Sequence, residues 1–151
     1  MMAGFVWKTY RKSLAGDLTR VWNRAMGEHF PLEVRLLRQN IEGAPSFDPR
    51  DSTIVTQGDS VVAFIVTKRF REQDPLLETL GHVGWIEALV VDPAYQRQGL
   101  GRDLLTWAVY RLRSDGADTI YLASGLRHFF PGVPLELPGA VNYFARAGFA
   151  Q

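Results

Sequence analysis

The sequence predicts an α/β fold, a mixed twisted sheet with helices on both faces, and three observations predict it. His82 to Val91 is a long apolar run that reads as a buried strand. From Leu100 to Leu112 the apolar residues recur at helical spacing. Thr119-Ile120-Tyr121-Leu122-Ala123 then reads as a second buried strand. Strand, helix and strand joined by short links form a βαβ unit, which makes the two strands parallel and the crossover right-handed. At 151 residues the expectation is one domain, residues 1–151, and a chain of this size buries roughly two-thirds of its unfolded surface.

The remaining elements follow in order. Phe5 to Tyr10 has the aromatic and β-branched content of a short strand, with Gly16 as a break after it. Asp17 is placed as the N-cap of a helix carrying Leu18, Val21, Trp22 and Ala25, stopped by Gly27. Pro31 is placed in the first turn of a second helix with Leu32, Leu36, Leu37 and Ile41, ending at Gly43. Residues 44–52 are rich in turn formers and form a surface loop. Thr53 to Gln57 and Ser60 to Phe70 are strand-like runs either side of Gly58-Asp59, an antiparallel hairpin. The polar stretch Arg71 to Thr79 is a loop and a candidate mobile flap, and the Pro131, Pro134 and Pro138 segment from His128 is a stiff loop. A short helix, Gly139 to Ala147, is closed by Gly148, and Phe149-Ala150-Gln151 reads as the start of a further strand.

Composition narrows the function. Seventeen Lys+Arg against 16 Asp+Glu give a formal charge of +1, which argues against a wholly basic nucleic-acid binder and makes any anion site local. With no cysteine there is no disulfide, thiolate catalysis or usual structural zinc site. His29, His82 and His128 show no ligand spacing, so no metal is expected. Nowhere do 18 apolar residues run together, and the expectation is a soluble, cytoplasmic protein with no membrane partner. Lys68, Arg69 and Arg71 are read as a solvated strand end rather than a phosphate grip.

The informative segment links the buried strand to the long helix: Asp92-Pro93-Ala94-Tyr95-Gln96-Arg97-Gln98-Gly99-Leu100-Gly101-Arg102. Glycines at 99 and 101 allow a tight turn in which several amides converge, and the helix N-terminus adds unpaired N–H groups and roughly half a positive charge. This is a phosphate cradle, unless the glycine pair only makes a sharp turn. There is no Gly-Lys-Ser/Thr, and the third glycine of a dinucleotide fingerprint falls on Leu104.

Gln96-Arg97-Gln98-Gly99-Leu100-Gly101 resembles the Gln/Arg-x-x-Gly-x-Gly/Ala signature of the GNAT superfamily of acyl-CoA-dependent N-acyltransferases. Val90-Val91-Asp92-Pro93-Ala94-Tyr95 is similar to the strand end before that signature, and Tyr143 to Phe149 to the helix that ends in Gly-Phe. The resemblance implies the GNAT fold with acetyl-CoA as co-substrate and an amine as acceptor. It assigns the pyrophosphate to Gln96, Arg97, Gln98, Gly99, Leu100, Gly101 and Arg102, and the pantetheine arm to the backbone of Leu89, Val90 and Val91. Within the family the stretch from Val90 to Leu105 is closest to ribosomal-protein N-terminal acetyltransferases, but that is the cofactor part.

Catalytic groups are fewer. Glu87 is the only carboxylate inside the apolar run and is the base candidate, since partial burial would raise its pKa toward the working pH. It reads equally as a solvent-facing or arginine-paired residue. The family's tyrosine four residues before the Gly-Phe glycine is Phe144 here, and Tyr143, one residue off, is expected to pack or face elsewhere. The Phe129 to Pro134 loop is similar to one in tandem GNAT proteins, and the chain stops soon after Gly148. The expectation is therefore a domain truncated before its last strands, with a homodimer or a second GNAT domain as partner. The rival readings are a non-catalytic acyl-CoA-binding domain and a module for another phosphorylated ligand.

Overall fold

The computed structural model describes residues 4–71, 78–125 and 127–150. Five strands form one sheet in chain order: β1 (Phe5–Thr9), β2 (Ser52–Gln57), β3 (Ser60–Arg69), β4 (Val83–Val91) and β5 (Thr119–Leu122). The first four are antiparallel neighbours and β5 is parallel to β4, as the βαβ reading requires. Helices α1 (Ala15–Met26) and α2 (Val34–Ile41) cover one face. Helix α3 (Leu100–Ser114) covers the other, with Tyr143 and Phe144 of α4 (Pro138–Arg146) beside it.

Two cores result. Trp22, Leu37, Phe64, Val66, Ala88 and Val90 meet on the α1/α2 face, and Ile65, Ile86, Leu104, Ala108 and Leu112 meet on the α3 face. β4 feeds both cores by alternation, and a bulge shifts which residues go where: Val66 pairs with Ala88 but Thr67 pairs with Ile86, leaving Glu87 as the extra residue on β4. The bulge changes the parity of the strand, so Ile86 faces α3, Ala88 faces α1, and Leu89 faces α3 again. At the start of β4, a Cβ on Gly84 would lie 2.9 Å from Leu112 Cδ2, so α3 rests there on bare backbone.

Several local expectations change. Gly16 does not break the chain; it lies inside α1, which begins at Ala15 after a 3-10 turn, and Asp17 sits in its first turn without capping it. Pro31 lies outside α2, whose N-cap is Glu33. Pro138, assigned to the stiff loop, is the first residue of α4. β5 is not buried: it is the sheet's edge, and Tyr121 is half exposed. No strand is assigned to Phe149 or Ala150. Most of the expected flap, residues 72–77, lies outside the described residues.

The basic cluster at the end of β3 is the largest correction. Lys68 and Arg69 are buried, not solvated. Arg69 donates to the carbonyls of Leu112, Asp115 and Gly81, and Arg71 pairs with Asp51 and Asp115. Arg111 of α3 also grips Asp51, at 2.8 Å. The cluster ties β3 to the end of α3, because orphan carbonyls at a helix C-terminus need donors. No helix among the described residues is long and apolar enough to cross a membrane.

Candidate functional site

The site starts where β5 leaves β4. The two strands pair only from Val83 to Ile86, and Ala123 N–H closes the ladder on the Ile86 carbonyl at 2.7 Å. Ala123 and Ser124 then turn left-handed, at φ 61° and 63°, and among the described residues no strand pairs with the rest of β4 on that side. Ile86 points its carbonyl to β5 and Asp92 points its amide to Val62 of β3. Counting back from Asp92 as far as the bulge at Glu87, alternation turns the amides and carbonyls of Leu89 and Val91 to the open side. Val90 is the member of the predicted set that turns away: it pairs with Phe64 and its side chain is in the α1/α2 core.

The turn after β4 is held rigidly. Asp92 is buried, accepts from Ala94 N–H at 2.9 Å, and is gripped by Arg24 of α1 at 2.9 and 3.2 Å. Burial pushes its carboxyl up, but the Arg24 hydrogen bond and the Ala94 amide hold it below the usual carboxylate range. Tyr95 donates to Gln57 at 2.9 Å, and the Gln96 side chain donates to the Val91 carbonyl at 3.0 Å. Arg97 and Gly99 are both left-handed, at φ 64° and 86°, with Gln98 between them. At Gly99 that conformation favours glycine, which adopts it without strain.

Helix α3 opens immediately afterwards, and its first internal bond is Asp103 N–H to the Gly99 carbonyl. The amides of Gly99, Leu100, Gly101 and Arg102 therefore donate to no acceptor among the described residues. They border a cleft of about 520 Å³ that runs from Arg97 and Arg102 past Val91 to Leu89, with α4 as its opposite wall. A Cβ on Gly101 would meet only Tyr143 Oη and Val91 Cγ2, both at 3.8 Å, so the fold itself leaves room for a side chain there. Four orphan donors, an unneeded glycine and an open strand edge together fit a diphosphate on an extended arm. Tyr143 lines this cleft rather than facing elsewhere, and burial pushes its phenol up.

Beyond Leu89 lies a second, smaller cavity of about 70 Å³. Leu89, Ala140 and Phe144 border both spaces and separate them. Glu87 lines the inner one and is almost fully buried, so it is neither solvent-facing nor paired with an arginine. Its Oε1 accepts from Gly125 N–H at 2.8 Å, while Oε2 is buried with no hydrogen-bond partner among the described residues. Burial raises its pKa, against the opposing pull of Lys68, the Gly125 amide and His128. Lys68 in turn is lowered to about 8 by burial, and its ammonium donates to the Arg127 carbonyl at 2.8 Å.

The loop after β5 roofs this cavity. Phe130 stacks on Trp22 of α1 with centroids 5.3 Å apart, and Asn40 of α2 donates to the His128 carbonyl. Phe130, Val133 and Pro134 form the apolar cover. Sequence reasoning missed Gly125, Lys68 and this roof, because they reach Glu87 from separate elements. Among the described residues no cluster of His, Cys, Asp or Glu could hold a metal ion.

A family model described as acetyltransferase (GNAT) family matches residues 8–149. Among solved structures, a GCN5-related glucosamine N-acetyltransferase region of a fungal multi-domain GH3 β-N-acetylglucosaminidase is similar at 25% identity and a TM-score of 0.82. That match covers 99% of this chain and 17% of the fungal chain. The ribosomal-protein-S18-alanine N-acetyltransferase from Escherichia coli is 21% identical, with a TM-score of 0.70 over 97% of this chain and 78% of that one. A NatC complex bound to Gag peptide and CoA has 17% identity and a TM-score of 0.69, over 97% and 85%. No curated relative matches the sequence.

Proposed function

Because the chain belongs to the acetyltransferase (GNAT) family, we propose that it transfers an acetyl group from acetyl-CoA to a primary amine, with Glu87 taking the amine's proton. The observation that carries this is the arc of four unpaired amides at the start of α3, opening on a cleft that leads along β4 toward Glu87. Backbone donors of that kind grip a diphosphate without a lysine. In this reading Gly99, Leu100, Gly101 and Arg102 hold the pyrophosphate, with Gln96, Arg97 and Gln98 shaping the turn. Leu89 and Val91 offer backbone groups to the pantetheine arm.

Acetyl-CoA bound there supplies the activated acyl carbon. The chain's own residues do the rest. Leu89 N–H, turned to the open side, is placed to donate to a carbonyl that becomes more negative, an effect worth a few kcal/mol in dry sites. Phe144 and Phe130 exclude water. As the amine nitrogen bonds to the acyl carbon and the carbon–sulfur bond breaks, the surplus proton passes to Glu87 Oε2, and the thiolate takes its proton from solvent. Glu87 ionises only above its raised pKa, so activity rises with pH through that value.

The fold likeness to the fungal glucosamine N-acetyltransferase region, the highest TM-score among the matches described, makes amino sugars the first acceptors to try. Peptide N-termini and diamines come next. A second reading, an acyl-CoA-binding domain without turnover, is favoured by Phe144, which puts no hydroxyl between the two cavities. Thermal shift with acetyl-CoA, CoA and ATP, followed by thiol release across the amine panel, tests both. Stabilisation by acetyl-CoA and CoA with thiol release on one amine class is expected. Stabilisation by ATP alone removes the reading, and tight binding with no release selects the second.

A further inference from the structure

Glu87 stands in an unusual setting for which backbone strain has been accepted nearby. Five non-glycine residues have left-handed φ among those described, and three of them, Ala123, Ser124 and Arg127, fall within five positions of one another. Such a conformation is unfavourable for a residue that carries a Cβ, and it persists only where the surroundings fix it. Here they do: Ala123 N–H is bonded to Ile86, Ser124 N–H to the Phe130 carbonyl at 2.9 Å, and the Arg127 carbonyl to Lys68. The Gly125 carbonyl lies 3.0 Å from His128 Nδ1. The product of all these ties is one buried contact, Gly125 N–H to Glu87 Oε1. No side chain fits at 125, since a Cβ there would overlap Glu87 Oε1 and lie 3.1 Å from Trp85 Cγ.

We propose that Gly125 is a positioning residue: the strained turn aims its amide at Oε1 and thereby leaves Oε2, the carboxylate oxygen with no hydrogen-bond partner among the described residues, to receive the proton at the inner cavity that Glu87 lines. This rests on the reading of Glu87 as the base. The titratable groups that face Glu87 are Lys68 from β3 and His128 from the loop after β5, while α1 and α4 present Met26 and Phe144 to the same cavity. The carboxylate thus meets an incoming N–H through one oxygen and one direction.

Gly125→Ala, made in the wild type and in Glu87→Gln, tests this. In the wild type kcat is expected to fall at least tenfold with KM for acetyl-CoA unchanged; in Glu87→Gln the same substitution adds little, because Gly125 acts only through Glu87. An equal loss in both backgrounds overturns the proposal. A measurement on the unaltered turn needs neither turnover nor a folded alanine variant: the Gly125 amide proton resonance should shift with pH at the Glu87 midpoint, and should not do so in Glu87→Gln. An amide indifferent to that titration overturns the proposal. An amide that follows it, in a protein that acetylates no amine, upholds the positioning and overturns the acetyl-transfer reading alone.

Discussion

The two ends of the cleft are built in opposite ways. Under the proposed function the cofactor end is backbone: seven consecutive residues, Gln96 to Arg102, one left-handed glycine and a helix start. The acceptor end is side chains and strain, drawn from α1, α2, β3, β4, the loop after β5 and α4. A diphosphate is the same whatever it carries, so a local main-chain cradle suffices and tolerates change around it. An acceptor differs from one enzyme to the next, and the residues that meet it have to be brought together by the whole fold.

Substitutions can break that contrast. The largest effect is expected from Glu87→Gln. General-base catalysis contributes typically 10²–10⁴-fold, so kcat should fall roughly a hundredfold or more and the acid limb of the pH–rate profile should vanish. Acetyl-CoA affinity, read by calorimetry, should not move; a matching loss of affinity would show that the two ends are not separable.

Next is Asp92→Ala, which leaves Arg24 and the Ala94 amide without their acceptor. Arg24 is half exposed, so the loss is set at the lower end for broken ion pairs, about 2–3 kcal/mol by urea unfolding. The Asp92 pKa is depressed in the fold, so its contribution is present above the unfolded value and lost as pH falls through the folded one. The gap between variant and wild type should therefore close in acid.

Gly101→Ala sharpens the comparison. The fold has space for the methyl group, and glycine in a helix is worse than alanine by roughly 0.5–1 kcal/mol, so stability should hold or rise. Acetyl-CoA affinity should drop about tenfold, or roughly 1.4 kcal/mol, because the methyl occupies ligand space. Unchanged affinity would mean that the cofactor does not touch this turn.

The smallest effect is on stability in Glu87→Gln. A raised carboxyl pKa means the neutral form suits the fold. The stability it contributes is complete below the unfolded pKa and is lost as pH rises through the folded one. Glutamine cannot ionise, so its Tm advantage over wild type should grow with pH.

Legibility follows the same division. The turn with its unpaired amides could be read because those donors are adjacent in the chain, and the βαβ unit because its periodicities are long. Glu87 could be singled out as a lone carboxylate in an apolar run, but its burial depended on the bulge. That bulge is a property of the β3–β4 register and leaves no mark in β4 alone. The burial of Arg69 is not legible in the sequence, because two of its three carbonyl acceptors, Leu112 and Asp115, lie more than 40 positions away. Helix starts were misjudged at Asp17 and Pro31, where plausible capping residues were passed over by the chain.

The helix that begins at the cofactor turn ends on Gly84, where Leu112 leaves no space for even a methyl group. A bulkier residue there would pry up the far end of α3 and swing its opening amides out of line. An inherited change at Gly84 is then expected to reach the proposed pyrophosphate grip through the helix, from the opposite end of α3.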